Sequence, residues 1–206
     1  MLRRPAVLLA GLAAAALMSA CAPLLVGGAV VGTSMMVSDR RTSGTQLEDQ
    51  AIELKSNTRV REAVGERGHV NVTSYNRVAL LTGEVVAETD KVAVEQAVAK
   101  IEGVRSVVNE LAVMGSSSLA NRSNDAILTS KVKASFIDAK DVFATAIKVT
   151  TERGTVYLMG RVTERESTRA SDIARGVPGV LKVVRVFEVI SEAELAEIQP
   201  KQAQKP

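Results

Sequence analysis

Apolar residues change period several times along this chain, and the same order of changes occurs twice. Helical spacing places Ile52, Val60 and Val64 in a first helical segment, and Leu128, Val132 and Phe136 on one face of a later one. Each of these helices is followed by two alternating stretches of strand character. In the first copy they are Val70–Ser74 and Val78–Thr82, joined at Tyr75-Asn76-Arg77, and in the second they meet at a tighter turn, Arg153-Gly154. A second helix comes next. Thr163 with Glu166 three residues on is a capping-box pattern, and Ile173, Ala174 and Val177 give that helix its apolar side. Gly-Val pairs at 103–104 and 179–180 read as helix stops, after which Val104–Val113 and Val180–Ile190 form a third strand.

The likeness extends to residue identities. Val70-Asn71-Val72-Thr73 and Leu80-Leu81-Thr82-Gly83-Glu84-Val85 recur as Ile147-Lys148-Val149-Thr150 and Tyr157-Leu158-Met159-Gly160-Arg161-Val162, and 147 − 70 and 160 − 83 are both 77. Ile101-Glu102-Gly103-Val104 recurs as Val177-Pro178-Gly179-Val180, displaced by 76, so the second copy is one residue shorter between these points. The pattern predicts an α+β protein of two tandem αββαβ domains, 46–114 and 122–191, each a small three-stranded mixed sheet covered by two helices. About 65 residues is near the lower limit of independent stability, so the two copies are expected to pack on each other.

Residues before Gln46 follow other rules. Arg3 and Arg4 precede an apolar run from Ala6 to Leu17, too short to span a bilayer, which marks 1–20 as a secretory signal. It ends in Met18-Ser19-Ala20-Cys21, which resembles the lipobox of bacterial lipoproteins and implies acylation of Cys21. Cys21 is the one cysteine of the chain, so no internal disulfide competes for it. Residues 21–45 read as the lipidated N-terminus and a flexible linker, broken by Gly27, Gly28 and Gly32, and 192–206 as a C-terminal tail.

Composition narrows the chemistry. Loss of Arg3 and Arg4 with the signal takes the formal charge from +3 to +1, so attraction to an anionic partner has to come from a local patch. Aromatic residues are 2% of the chain and Trp is absent, which leaves few platforms for stacking bases and argues against nucleic acid. His69 is the one histidine and has no cysteine partner, so neither a transition-metal site nor a nucleophilic triad is expected, no cofactor is implied, and the chain does not read as an enzyme. Gly83 and Gly160 read as close-packing or turn positions rather than a phosphate cradle, and Asp138 and Asp141 as solvated loop residues.

The αββαβ order, the Leu-Thr-Gly-Glu-Val and Leu-Met-Gly-Arg-Val segments and the helices closed by Gly-Val resemble the BON domain, a module of exported bacterial proteins. Two such domains behind a lipobox resemble dual-BON outer-membrane lipoproteins. The resemblance implies binding of anionic phospholipid, a role in outer-membrane integrity and at the division site, and domains that face the periplasm from a lipid anchor in the outer membrane. It also implies that the first helix of the second domain meets the membrane. With Leu128, Val132 and Phe136 inward, that helix turns Ile127, Lys131 and Ala134 outward, with Lys133 at the flank and Lys140 in the loop beyond. The alternative is a periplasmic adaptor or chaperone-like partner of outer-membrane assembly or peptidoglycan-remodelling machinery.

Overall fold

The protein is described from a computed structural model that covers residues 39–139 and 141–198. Two αββαβ units follow one another in it. The first comprises α1 (Ser43–Val64), β1 (Gly68–Tyr75), β2 (Val78–Val85), α2 (Glu88–Ala99), β3 (Ser106–Asn109) and β4 (Ala112–Val113). The second comprises α3 (Leu119–Asp138), a 3-10 turn at Ala144–Ala146, β5 (Ile147–Glu152), β6 (Thr155–Val162), α4 (Glu164–Gly176) and β7 (Lys182–Val189), with α5 (Glu192–Ile198) after it. In each unit the middle strand pairs antiparallel with the hairpin partner before it and parallel with the strand that returns after the helix, giving the orders β1-β2-β3 and β5-β6-β7.

The third strand of the first unit is broken where that of the second is continuous. β3 and β4 both pair with β2, but between them Leu111 turns into the core, 3% exposed, and its N–H is taken by the Asn109 side chain. Gly103 and Gly179 lie in the turns after α2 and α4 rather than at the helix ends, which are Ala99 and Gly176.

The alternation of each strand divides its residues between two cores. Ala79, Leu81 and Val85 of β2 meet Ile52, Val60 and Val64 of α1 and Val94 and Val98 of α2; Val156, Leu158 and Val162 of β6 meet Leu128, Val132 and Phe136 of α3 and Ala170 and Ala174 of α4. The opposite faces of the two sheets meet each other. Tyr75 and Leu80 of one pack on Tyr157 and Met159 of the other, with Val78, Val108, Val184 and Val186 around them. Each such large apolar side chain contributes about 1.5–3 kcal/mol on burial, which no isolated unit of this size can forgo. The expected packing of copy on copy is therefore sheet against sheet, with helices outside.

Both hairpin turns have two residues with positive φ, Asn76 (49°) with Arg77 (66°) and Arg153 (49°) with Gly154 (72°), so the first is as tight as the second. Side chains that are not glycine hold this conformation because a buried aspartate grips the turn. Asp49 on α1 accepts from the N–H groups of Asn76 and Arg77, both at 2.8 Å, and from Ser74 Oγ at 2.7 Å. Asp125 on α3 accepts from the N–H groups of Arg153 and Gly154, both at 2.8 Å. Each aspartate pins its first helix to its hairpin.

Order begins before Gln46, since two arginines fasten the chain ahead of α1. Arg40 makes a bidentate pair with Glu166, both contacts 2.7 Å, and donates to the Arg161 carbonyl at 2.8 Å. Arg41 reaches Asp49 at 2.7 Å and lies over the Tyr75 ring, 4.1 Å from its centre. One residue is thus held by the second unit and the next by the first. Glu166 also completes the capping box with Thr163, as its sequence pattern predicts.

Burial alone would raise the Asp49 carboxyl, but Ser74 Oγ, the Arg77 N–H, Arg41 and the Asn76 N–H outweigh it and hold its pKa below the ordinary value. Its stabilisation is therefore complete above the unfolded aspartate value of about 3.9 and is lost as pH falls through the lower folded value. Asp49→Ala should cost about 3 kcal/mol and Asp125→Ala about 2 kcal/mol in urea unfolding at neutral pH, since several buried donors are left without an acceptor. Asp49→Asn should flatten the loss of stability below about pH 4.

Candidate functional site

α3 owes its start to Ser118, whose side chain accepts from the Asn121 N–H at 3.2 Å, and its orientation to Leu128, Val132 and Phe136, all buried under β5 and β6. That rotation leaves Ile127 55% exposed and Lys131, Lys133 and Ala134 exposed as well. Neither lysine has an ion-pair partner within 4.0 Å among the described residues. Cys21 and Lys140 lie outside the described residues.

Beside this face runs a cleft of about 440 Å³ between α3 and the two turns next to it. Asn121, Asn124, Ile127 and Lys131 line it from the helix, Gly154 from the hairpin, and Pro178 and Gly179 from the turn after α4. The carboxylate of Asp125 borders it but is taken up by the hairpin N–H groups. The cleft thus presents amides, one ammonium group and apolar edges, with Arg153 also in its lining and its guanidinium engaged by Glu84.

The family model of the BON domain matches residues 48–115 and 124–191. The chain belongs to the BON family. It is 38% identical over 183 residues, 87% of its own length and 93% of the relative's, to the outer membrane lipoprotein DolP of Haemophilus influenzae. It is 30% identical to the 21 kDa hemolysin of Actinobacillus pleuropneumoniae, covering 74% of this chain and 79% of that one. A solved structure of CdsD, a structural protein of the type III secretion system of Chlamydia trachomatis, aligns over 73% of this chain and 98% of its own with 10% identity and a TM-score of 0.29. Two BON domains and the extent of the DolP match make this a dual-BON, DolP-like protein of the outer-membrane lipoprotein kind. Among the described residues, no helix is long and apolar enough to cross a membrane.

The seam between the two BON domains gathers ionisable residues that lie far apart in sequence. Glu84, fully buried, accepts from Arg153 Nε at 2.7 Å and from the Ser117 N–H at 3.1 Å. Glu152 accepts from Asn71 at 3.1 Å, and Glu188 from Asn76 and Arg105, both at 2.7 Å. Thr73 and Thr150, 77 positions apart like the other repeat pairs, meet at 3.4 Å. The two copies therefore face each other through equivalent strands.

His69, at the start of β1, joins this seam. Its Nδ1 lies 3.8 Å from a Glu84 oxygen, is buried and has no hydrogen-bond partner. His69, Glu84 and Glu152 offer three ligand atoms within 4.8 Å of one another, the one such set among the described residues. Positive charge is already supplied there by Arg153 on Glu84, and Arg122 acts with burial to push His69 below its ordinary pKa. The set reads as part of the domain seam, whereas Gly83 and Gly160 each pack within their own domain. A Cβ at Gly83 would lie 2.0 Å from the His69 carbonyl and one at Gly160 2.5 Å from that of Ala146, so both serve close packing.

Burial raises the Glu152 pKa, and the neighbouring Glu84 and Asp125 carboxylates add to it against the Asn71 hydrogen bond. A raised folded value means that its contribution to stability is complete below the unfolded value of about 4.3 and falls away as pH rises through the folded value. Glu152→Gln should therefore raise the unfolding midpoint at pH 8 and leave it nearly unchanged at pH 4, as thermal melts at the two values would show.

Proposed function

We propose that this protein is a non-enzymatic envelope lipoprotein that is anchored through Cys21 and whose second BON domain binds anionic phospholipid, contributing to outer-membrane integrity. The observation that carries this reading is the outer face of α3, where Ile127 stands exposed beside Lys131, Lys133 and Ala134 and neither lysine is paired with a described carboxylate. An ammonium group near an anionic membrane contributes about 1 kcal/mol, and an exposed aliphatic side chain adds its own transfer from water. The DolP-like character of the chain supports the same reading.

The broad faces of the sheets are largely taken up, and a cleft of about 390 Å³ remains beside β1 and β5, lined by seam residues such as Asn71, Arg122 and Glu152. One face of each is covered by helices and the other by its partner sheet. A broad partner such as a membrane is met by helix surfaces and turns. The ionisable residues of the seam serve as ion pairs and hydrogen-bond partners between the domains.

Lys131→Glu with Lys133→Glu removes two attractive charges and adds two repulsive ones, a change of about 4 kcal/mol at roughly 1 kcal/mol per charge. In the mature chain carrying Cys21→Ala, so that no acyl group contributes, the double variant should lose co-sedimentation with anionic vesicles while its circular dichroism is unchanged. Binding by the parent should weaken as salt rises from 0.1 M to 1 M, where the Debye length shrinks from about 10 Å to about 3 Å. A folded double variant that binds as the parent does would transfer the function to the adaptor reading.

A further inference from the structure

The two domains share a scaffold but differ at one place. In the first domain, the positions equivalent to Asn124, Gly154 and Leu181 are Glu48, Arg77 and Arg105, by offsets of 76, 77 and 76. Glu48 and Arg77 pair with each other at 2.5 Å, and Arg105 is committed to Glu188 across the domain seam. Charged side chains thus occupy the corner between helix, hairpin and strand entry. In the second domain the same corner carries an amide, a glycine and a leucine, and it is open.

Leu181 is the unexplained residue there. It is 81% exposed, the most exposed large apolar side chain among the described residues, although it stands at the entry to β7 in a well-formed sheet. Its position is fixed. The Leu181 N–H donates to the Gly154 carbonyl at 2.9 Å, and its side chain lies so near the Gly154 Cα that a Cβ added there would come within 2.9 Å of it. Gly154 in turn forms one wall of the cleft whose helix side carries Ile127 and Lys131. Leu181 therefore stands against Gly154, one wall of the cleft that Ile127 and Lys131 line from the helix side. In the first domain the residues equivalent to Ile127 and Leu181 are Ala51 and Arg105, so neither apolar edge exists there.

Resting on the lipid-binding reading above, we infer that Leu181 is a second apolar anchor of the membrane contact: Leu181 and Ile127 enter an anionic bilayer together from the two sides of the cleft, and Lys131 faces its headgroups. The pairing of apolar edges with an unpaired lysine is what complements such a surface, where aliphatic side chains reach the acyl boundary and ammonium groups stay at the phosphate level. A rigid two-point contact also sets the orientation of the domain on the membrane.

Absence of Trp makes the test direct, since one introduced indole is the sole reporter of its kind. Ile127→Trp, Leu181→Trp and, on α1 of the first domain, Leu54→Trp (71% exposed in the parent) would each be placed in the mature Cys21→Ala chain and mixed with phosphatidylglycerol-containing vesicles. Emission and quenching by acrylamide are then read. Blue-shifted, shielded emission at 127 and 181 but not at 54 is the expected result. Shielding at 127 with full quenching at 181 would overturn the two-point contact and leave the lipid-binding reading standing. Shielding at neither would remove both, and equal shielding at 54 would show that another face meets the lipid. Leu181→Ser should weaken vesicle binding roughly ten- to a hundred-fold, the equivalent of one leucine no longer leaving water, with no change in melting temperature; unchanged binding contradicts the proposal.

Discussion

The contact between the inner faces of the two sheets is what the remaining structure depends on. Tyr75, Leu80, Tyr157 and Met159 are each exposed by 6% or less, and they are supplied by two domains of which neither has a second apolar layer of its own. Joining the sheets removes both inner faces from water and sends both pairs of helices outward. It also brings equivalent strands together, so that the hairpin turn of the second domain reaches the end of the central strand of the first, as the pairing of Arg153 with Glu84 shows. Arg40 and Arg41 then bridge the joint from outside, one to each domain.

Duplication followed by divergence accounts for the difference in surface chemistry. The aspartate that grips the hairpin occurs in both copies, because the strained turn needs it in both. Positions around that turn are free to change, and they have done so in opposite directions. Glu48 and Arg77 close the corner of the first domain with an ion pair and Arg105 reaches across the seam to Glu188, while Asn124, Gly154 and Leu181 leave the corner of the second open beside an exposed lysine. A fold that is symmetric inside presents two unlike ends to its surroundings.

Most of the fold was legible in the sequence because it is periodic. The inward faces of α1 and α3, the paired strands, the 77-residue repeat and the Thr163-Glu166 cap all follow from spacing. Features that depend on tertiary partners were not. A lone aspartate such as Asp49 reads as one more polar position on a helix, and Asn76-Arg77 lacks the glycine that usually signals a tight turn, so the grip of one on the other shows only in three dimensions. Arg40 reads as linker since its partner, Glu166, lies 126 positions away. His69 meets Glu84 and Glu152 because the sheets are joined, and Leu181, one apolar residue in a strand-like run, carries no mark of exposure. On α3 the outward set was readable from the inward one, but the cleft beside it was not, as two of its walls come from later turns.

Hydrogen exchange of the mature, unacylated chain with and without anionic vesicles tests most directly the claim that an intact pair of joined domains meets the membrane through one end of the second. Added protection should be confined to the first half of α3 and to the segment around Gly179–Lys182, with β1 and β5 exchanging as slowly as they do in solution. Faster exchange in β1 and β5, or added protection spread over α1 and α2, would contradict it.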